Sequence, residues 1–110
     1  MGVRKKLAVF ASGTGSNFEA IDDACKDGRL DADVVLMVCD KPSAAVVGKA
    51  AARGIESFVF SPKDYASKAD FEKEIVSRMD ALGVDLVCLA GYMRIVSDVL
   101  LDAYGGRIIN

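Results

Sequence analysis

Leu7-Ala8-Val9-Phe10-Ala11-Ser12-Gly13-Thr14-Gly15-Ser16-Asn17-Phe18-Glu19 runs from apolar residues through a pair of glycines into a segment of helical spacing. The apolar run is short and does not alternate, the pattern of a strand buried on both faces. Phe18, Ile21, Ala24 and Cys25 then recur on one helical face, and Gly28 supplies a stop. Ser16 and Glu19 have the spacing of a capping box, which places a helix start at this turn. Strand, glycine turn and helix make the opening of a βαβ unit.

The rest of the chain repeats that plan. Val34–Cys39 is a second apolar run, followed by the turn Asp40-Lys41-Pro42-Ser43 with Ser43 as a helix N-cap. Ala45, Val46, Lys49 and Ala50 predict a short helix that ends at Gly54. Ser57–Phe60 reads as a third strand, broken at Ser61-Pro62. Ser67 is an N-cap candidate, and Phe71, Ile75, Val76 and Met79 form an amphipathic face ending near Gly83. Asp85–Leu89 is a fourth strand. Val96-Ser97-Asp98 opens a brief helix through Leu100 and Leu101, and Gly105-Gly106 leads into a fifth strand over Arg107–Asn110. Strands alternating with helices predict an α/β fold with a parallel sheet covered on both faces. The expected arrangement is a Rossmann-like, doubly wound sheet of order 3-2-1-4-5, formed by residues 1–110 as one domain. Such sheets bind ligands beyond the carboxyl ends of the strands, where the chain reverses direction. The loops expected there are Ser12–Asn17 and Ala90–Arg94.

Composition narrows the function classes. Hydrophobic residues make up 52 % and charged residues 27 % of the 110 positions, a globular balance. A net charge of −2 gives no bulk attraction to nucleic acid or to an anionic membrane, and no apolar run is long enough to span a bilayer. The basic opening Met1-Gly2-Val3-Arg4-Lys5-Lys6 could begin a signal peptide, but the apolar stretch after it is short and runs into the glycine turn. Cys25, Cys39 and Cys88 form no Cys-x-x-Cys pair and read as buried, reduced thiols of a cytoplasmic protein. The absence of histidine excludes histidine acid/base chemistry and histidine metal ligands from these residues.

The first loop is an anion-site candidate. Glycine lets backbone N–H groups approach a ligand, and the helix that follows adds unpaired N–H groups and a positive dipole end. Three states fit: a capped turn with no ligand, a dinucleotide site, and a pocket for a phosphate monoester. A dinucleotide loop needs a third glycine where this chain has Phe18, although Asp40 stands after strand 2 as a ribose-binding acid would. A Walker loop is excluded, since no Gly-Lys-Ser/Thr follows the glycines. The corresponding functions are a mononucleotide-binding enzyme, an NAD- or NADP-dependent oxidoreductase, and a non-catalytic nucleotide-binding module.

Three segments together carry a more specific signal. Ser12-Gly13-Thr14-Gly15-Ser16-Asn17, Leu89-Ala90-Gly91-Tyr92-Met93-Arg94-Ile95-Val96 and Gly105-Gly106-Arg107-Ile108-Ile109-Asn110 occur in that order, with Val38-Cys39-Asp40-Lys41-Pro42 between the first two. The chain resembles the glycinamide ribonucleotide formyltransferases over essentially its whole length. That resemblance implies formyl transfer from 10-formyltetrahydrofolate, a co-substrate, to the amine of phosphoribosylglycinamide, a step of purine synthesis that uses no metal. It implies that Gly13, Gly15, Ser16 and Asn17 hold the acceptor phosphate. It implies that Met93, Arg94, Ile95 and Val96 line the folate site, largely through backbone groups and apolar contact. Lys68 matches a basic, usually arginine, folate contact; lysine keeps the charge but not the planar fork. Asn110 matches a donor to the developing oxyanion and borders the folate site.

Without the resemblance, Met93 and Ile95 read as core, Arg94 and Lys68 as solvated surface charges, and Asn110 as a lone amide. The family pattern also has a histidine just beyond the asparagine and a later aspartate, neither of which is in this sequence. The expectation is therefore the N-terminal half of such an enzyme, inactive alone and needing a complementary C-terminal half. Strand 5 is expected near an exposed edge with a bare apolar face, and a homodimer is compatible with the sequence.

Overall fold

In the computed structural model, which describes residues 4–110, the sheet has five parallel strands in the order β3-β2-β1-β4-β5. The strands are β1 (Lys5–Ala11), β2 (Ala32–Cys39), β3 (Ser57–Val59), β4 (Leu86–Leu89) and β5 (Ile108–Ile109). The helices between them are α1 (Ser16–Lys26), α2 (Ala45–Ala52), α3 (Lys68–Leu82) and α4 (Asp98–Tyr104), with a 3-10 turn at Pro62–Asp64. Order and fold class match the expectation. Met1–Val3, part of the basic opening weighed as a signal peptide, lie outside the described residues. No helix among the described residues is long and apolar enough to cross a membrane.

Side chains of the central strands alternate between two apolar layers. Ala8 and Phe10 of β1, Leu36 and Val38 of β2 and Val87 of β4 pack under α3 and α4, against Phe71, Ile75, Met79, Leu100 and Tyr104. Leu7, Val9 and Ala11, with Met37, Cys39 and Cys88, pack under α1 and α2, against Phe18, Cys25, Val46 and Ala50. All three cysteines are buried and free, as expected. The first two helices cover one face. After β3 the chain crosses back over β1 and the last two cover the other, so it reverses between β1 and β4.

Two helix starts differ from expectation. Ser43 is not the N-cap of α2; Ala44 is, and no side chain caps that end. Instead, the Val46 amide donates to the Gly13 carbonyl (3.1 Å), which seats the start of α2 on the glycine loop. Ser16 and Glu19 form no capping box. Ser16 is already the first helical residue, Gly15 is the N-cap at φ 81°, and no side chain caps α1. Glu19 is turned instead to Lys49 (2.9 Å) and Arg53 (3.3 Å) of the α2 region. Ser67 caps α3 as expected, its hydroxyl accepting from the Asp70 amide (3.3 Å).

Candidate functional site

The glycine loop leaves β1 at Ser12 and turns into α1 through Gly15. A left-handed backbone and close contact with α2 both require glycine there: an added Cβ would lie 2.6 Å from Val46 Cγ2 and 2.8 Å from Val46 Cβ. Gly13 differs, since a Cβ there would meet nothing within 4 Å. The Glu19 amide bonds the Gly15 carbonyl (2.8 Å) and closes the first helical turn. The amides of Ser16, Asn17 and Phe18 precede that turn and have no intrahelical acceptor, and Gly15 has no side chain with which to cap them. They lie at the positive end of the helix, at the mouth of a cleft of about 220 Å³. That cleft is lined by residues 13–17 together with Ala90 and Gly91. The two loops expected at the switch point thus form one site.

A larger, mostly apolar groove of about 530 Å³ adjoins it. Ile21, Leu86, Cys88 and Ile109 line its floor and walls, and Asn17 and Ala90 are shared with the smaller cleft. Asn110 lines the same groove beyond the end of β5, so Asn17 at the end of the glycine loop and the terminal asparagine border one groove. The groove runs along the β4–β5 face on the α1 side, opposite α3 and α4, and edge residue Ile109 is 53 % exposed.

After β4 the chain turns at Gly91 and presents Met93 and Ile95 to solvent at 75 % and 80 % exposure. The expectation that these two are core residues is therefore corrected: both side chains stand free of the sheet layers. Arg94 is exposed, as read, but not free. Its Nε donates to Asp40 Oδ2 at 3.0 Å, with the Asp40 side chain only 1 % exposed. Lys68, the first residue of α3, donates through Nζ to the Ile95 carbonyl (2.9 Å) and so braces the same loop.

One helical turn further, the Glu72 carboxylate accepts from the Ser97 amide (3.0 Å), the Ser97 hydroxyl (2.9 Å) and the Leu100 amide (3.0 Å). It thereby caps α4 from a neighbouring helix. Beneath the loop, Tyr92 stands edge-on to Phe10 at 5.2 Å between ring centroids, and burial raises its phenol well above the ordinary tyrosine range. Val96 is half-buried against the α3–α4 layer.

Asp40 is not placed as a ribose-binding acid. Both its oxygens are engaged inside the protein, Oδ1 by the Ser12 hydroxyl at 2.6 Å and Oδ2 by Arg94. Phe18, at the third-glycine position, is fully buried and keeps α1 at side-chain distance from the sheet. Both features count against a dinucleotide loop. Sequence patterns placed Ser12 at the head of the loop but gave it no role, and did not single out Glu72; the partners of both are more than 20 positions away. The only local sign is a polar residue beside an apolar run.

Comparison with known proteins converges on one family. The chain is 55 % identical over 106 residues to a phosphoribosylglycinamide formyltransferase of Bacillus subtilis, covering 96 % of this chain and 54 % of that protein. It is 42 % identical to a chloroplastic phosphoribosylglycinamide formyltransferase of Arabidopsis thaliana, covering 97 % of this chain and 37 % of that one. The crystal structure of glycinamide ribonucleotide transformylase 1 from Geobacillus kaustophilus superposes with a TM-score of 0.93 at 54 % identity, over 96 % of this chain and 56 % of that chain. The chain thus spans about half the length, or less, of these relatives. With residues 5–110 matching the formyl transferase family, and with the fold and sheet order shared, the chain belongs to that family.

Proposed function

We propose that this chain is the acceptor-binding half of a phosphoribosylglycinamide formyltransferase, and that residues 1–110 act as its N-terminal domain. The observation that carries the reading is the uncapped head of α1: free amides, a glycine with no side chain to close them off, and a cleft in front. The phosphate of phosphoribosylglycinamide sits there on the amides of residues 13–17, with Gly13, Gly15, Ser16 and Asn17 as its contacts. The acceptor's ribose and amine extend past Asn17 and Ala90 toward Asn110, along the shared space. The donor is 10-formyltetrahydrofolate, held by backbone groups and apolar side chains of Met93, Arg94, Ile95 and Val96. Lys68 serves the donor site by holding the Ile95 carbonyl.

In the reaction the acceptor's amine nitrogen attacks the formyl carbon and the carbonyl oxygen becomes an oxyanion. The bond from that carbon to the donor nitrogen then breaks, its electron pair going to that nitrogen, which takes up the proton that the acceptor amine gives up. The Asn110 amide donates to the oxyanion without changing its own charge. A donor so placed is worth about 3 kcal/mol of barrier in comparable oxyanion holes. The proton-handling groups come from a complementary C-terminal half.

Calorimetric titration of the chain with phosphoribosylglycinamide, with inorganic phosphate as competitor, tests the cradle. Saturable binding displaced by phosphate is expected. Saturable NAD or NADP binding with no response to phosphoribosylglycinamide would sink the proposal. Adding the C-terminal part of the Bacillus subtilis relative is expected to produce formyl transfer that the chain alone lacks. Turnover by the chain alone, or none by the pair, would refute the half-enzyme assignment.

A further inference from the structure

Three loop starts, after β1, β2 and β4, meet on one buried carboxylate. Ser12 stands between the other two. Its amide donates to the Gly91 carbonyl (3.1 Å), its hydroxyl donates to Asp40 Oδ1 (2.6 Å), and its Oγ accepts from the Met93 amide (2.8 Å). A hydroxyl has one proton and a carboxylate only accepts, so the Asp40 bond fixes the hydroxyl's direction. The lone pairs are then left facing the Met93 N–H. Asp40 Oδ2 receives Arg94, whose side chain is 41 % exposed and lies over a carboxylate that is 1 % exposed. A buried charge left without its partner is strongly unfavourable, so the pair resists opening. On one side of Ser12 the chain forms the phosphate cradle; on the other, two of its bonds hold the loop that carries Met93 to Val96.

We propose that Asp40 is a positioning residue that sets the separation of the two loops and thereby places the donor loop against the acceptor site. It touches neither ligand; it acts through the Ser12 hydroxyl and the Arg94 guanidinium. The effect on the donor site rests on the assignment of the loops given above, whereas the tie itself does not. Substitutions separate its strands. Asp40→Asn keeps an oxygen for the Ser12 hydroxyl but sets an amide N–H group against Arg94, which frees Arg94 alone. Ser12→Ala cuts the Met93 tether and leaves the Asp40–Arg94 pair. Asp40→Ala frees Arg94 and leaves the Ser12 hydroxyl unoriented, although its oxygen can still accept from Met93.

The test has two arms. Amide hydrogen exchange on the chain itself is expected to quicken at Met93 by about tenfold in Ser12→Ala, the loss of one net hydrogen bond, by a smaller factor in Asp40→Ala, where the reoriented hydroxyl still offers a lone pair, and to stay within about twofold in Asp40→Asn. In the chain paired with the C-terminal part of the Bacillus subtilis relative, Asp40→Ala is expected to raise KM for 10-formyltetrahydrofolate about tenfold, with KM for phosphoribosylglycinamide within about twofold. Unchanged exchange at Met93 in Ser12→Ala overturns the tie, and both KM values rising in proportion, or neither changing, overturns the placing of the donor loop. If the unsubstituted pair transfers no formyl group, the functional assignment fails while the exchange arm still decides the tie. If Asp40→Ala does not fold, Asp40→Asn and Ser12→Ala decide it.

Discussion

Alanine at Gly15 meets two obstacles that alanine at Gly13 does not. At φ 81° the new Cβ is held in the left-handed region, which disfavours alanine by about 1–2 kcal/mol. The same Cβ falls 2.6 Å and 2.8 Å from two atoms of Val46, on a helix whose first turn is hydrogen-bonded to the loop. Relieving that overlap requires α2 to move, and overpacking of this kind destabilises by about 1–3 kcal/mol. Together these give about 2–5 kcal/mol, a large share of the stability of a domain this size. The expected fall in Tm is about 10 °C or more. Alanine at Gly13 stands in open space, and its stability effect is expected within about 0.5 kcal/mol of zero. Because Gly13 lines the cleft, the added methyl is still expected to weaken phosphate-ester binding. Thermal unfolding by circular dichroism, paired with calorimetric titration of phosphoribosylglycinamide, separates the two. Equal Tm values for the two variants, or a Gly15→Ala variant as stable as the parent, would refute the assignment of Gly15 to packing against Val46.

Glu72→Ala removes the acceptor of three donors at the head of α4 and is expected to destabilise by about 2–4 kcal/mol in urea unfolding; Glu72→Gln should recover part of that. The Lys49 hydrogen bond, with Arg53 nearby, holds Glu19 below the ordinary glutamate value of 4.5, so the native state binds fewer protons than the unfolded chain in acid. That stabilisation is present above pH 4.5 and is lost as pH falls below it. Glu19→Gln should therefore flatten the acid limb of a stability–pH profile, and an unaltered limb would count against the ion pair. Burial, aided by the hydrogen bond to Asp80, pushes the Tyr104 phenol up to about 12 from 10.0. Its contribution is full below pH 10 and declines as pH rises toward 12, so Tyr104→Phe should level the alkaline limb.

The order of elements was legible because each strand is an uninterrupted apolar run and each helix has one apolar face; both follow from burial and need no knowledge of partners. The glycine loop was legible for a related reason, since two glycines between a buried strand and a helix leave backbone donors open whatever surrounds them. Cap details were not legible. Ser16 and Glu19 satisfy a local spacing rule, but Lys49 and Arg53 offer Glu19 an ion pair that a one-dimensional pattern does not contain. The loop after β4 carried the family's residues in order, yet its exposed Met93 and Ile95 looked like core by composition alone.

The sequence by itself determined that strands and helices alternate and that a glycine turn opens the first helix. Those features depend on neighbours a few positions away. Only the tertiary structure decided that Ser12, Asp40 and Arg94 share one buried network, that Glu72 caps a helix other than its own, and that Asn17 and Asn110 face one continuous space. The polar atoms concerned come from segments far apart in the chain. They meet because burial in a packed sheet makes an unpaired carboxylate or hydroxyl costly enough to select its partner.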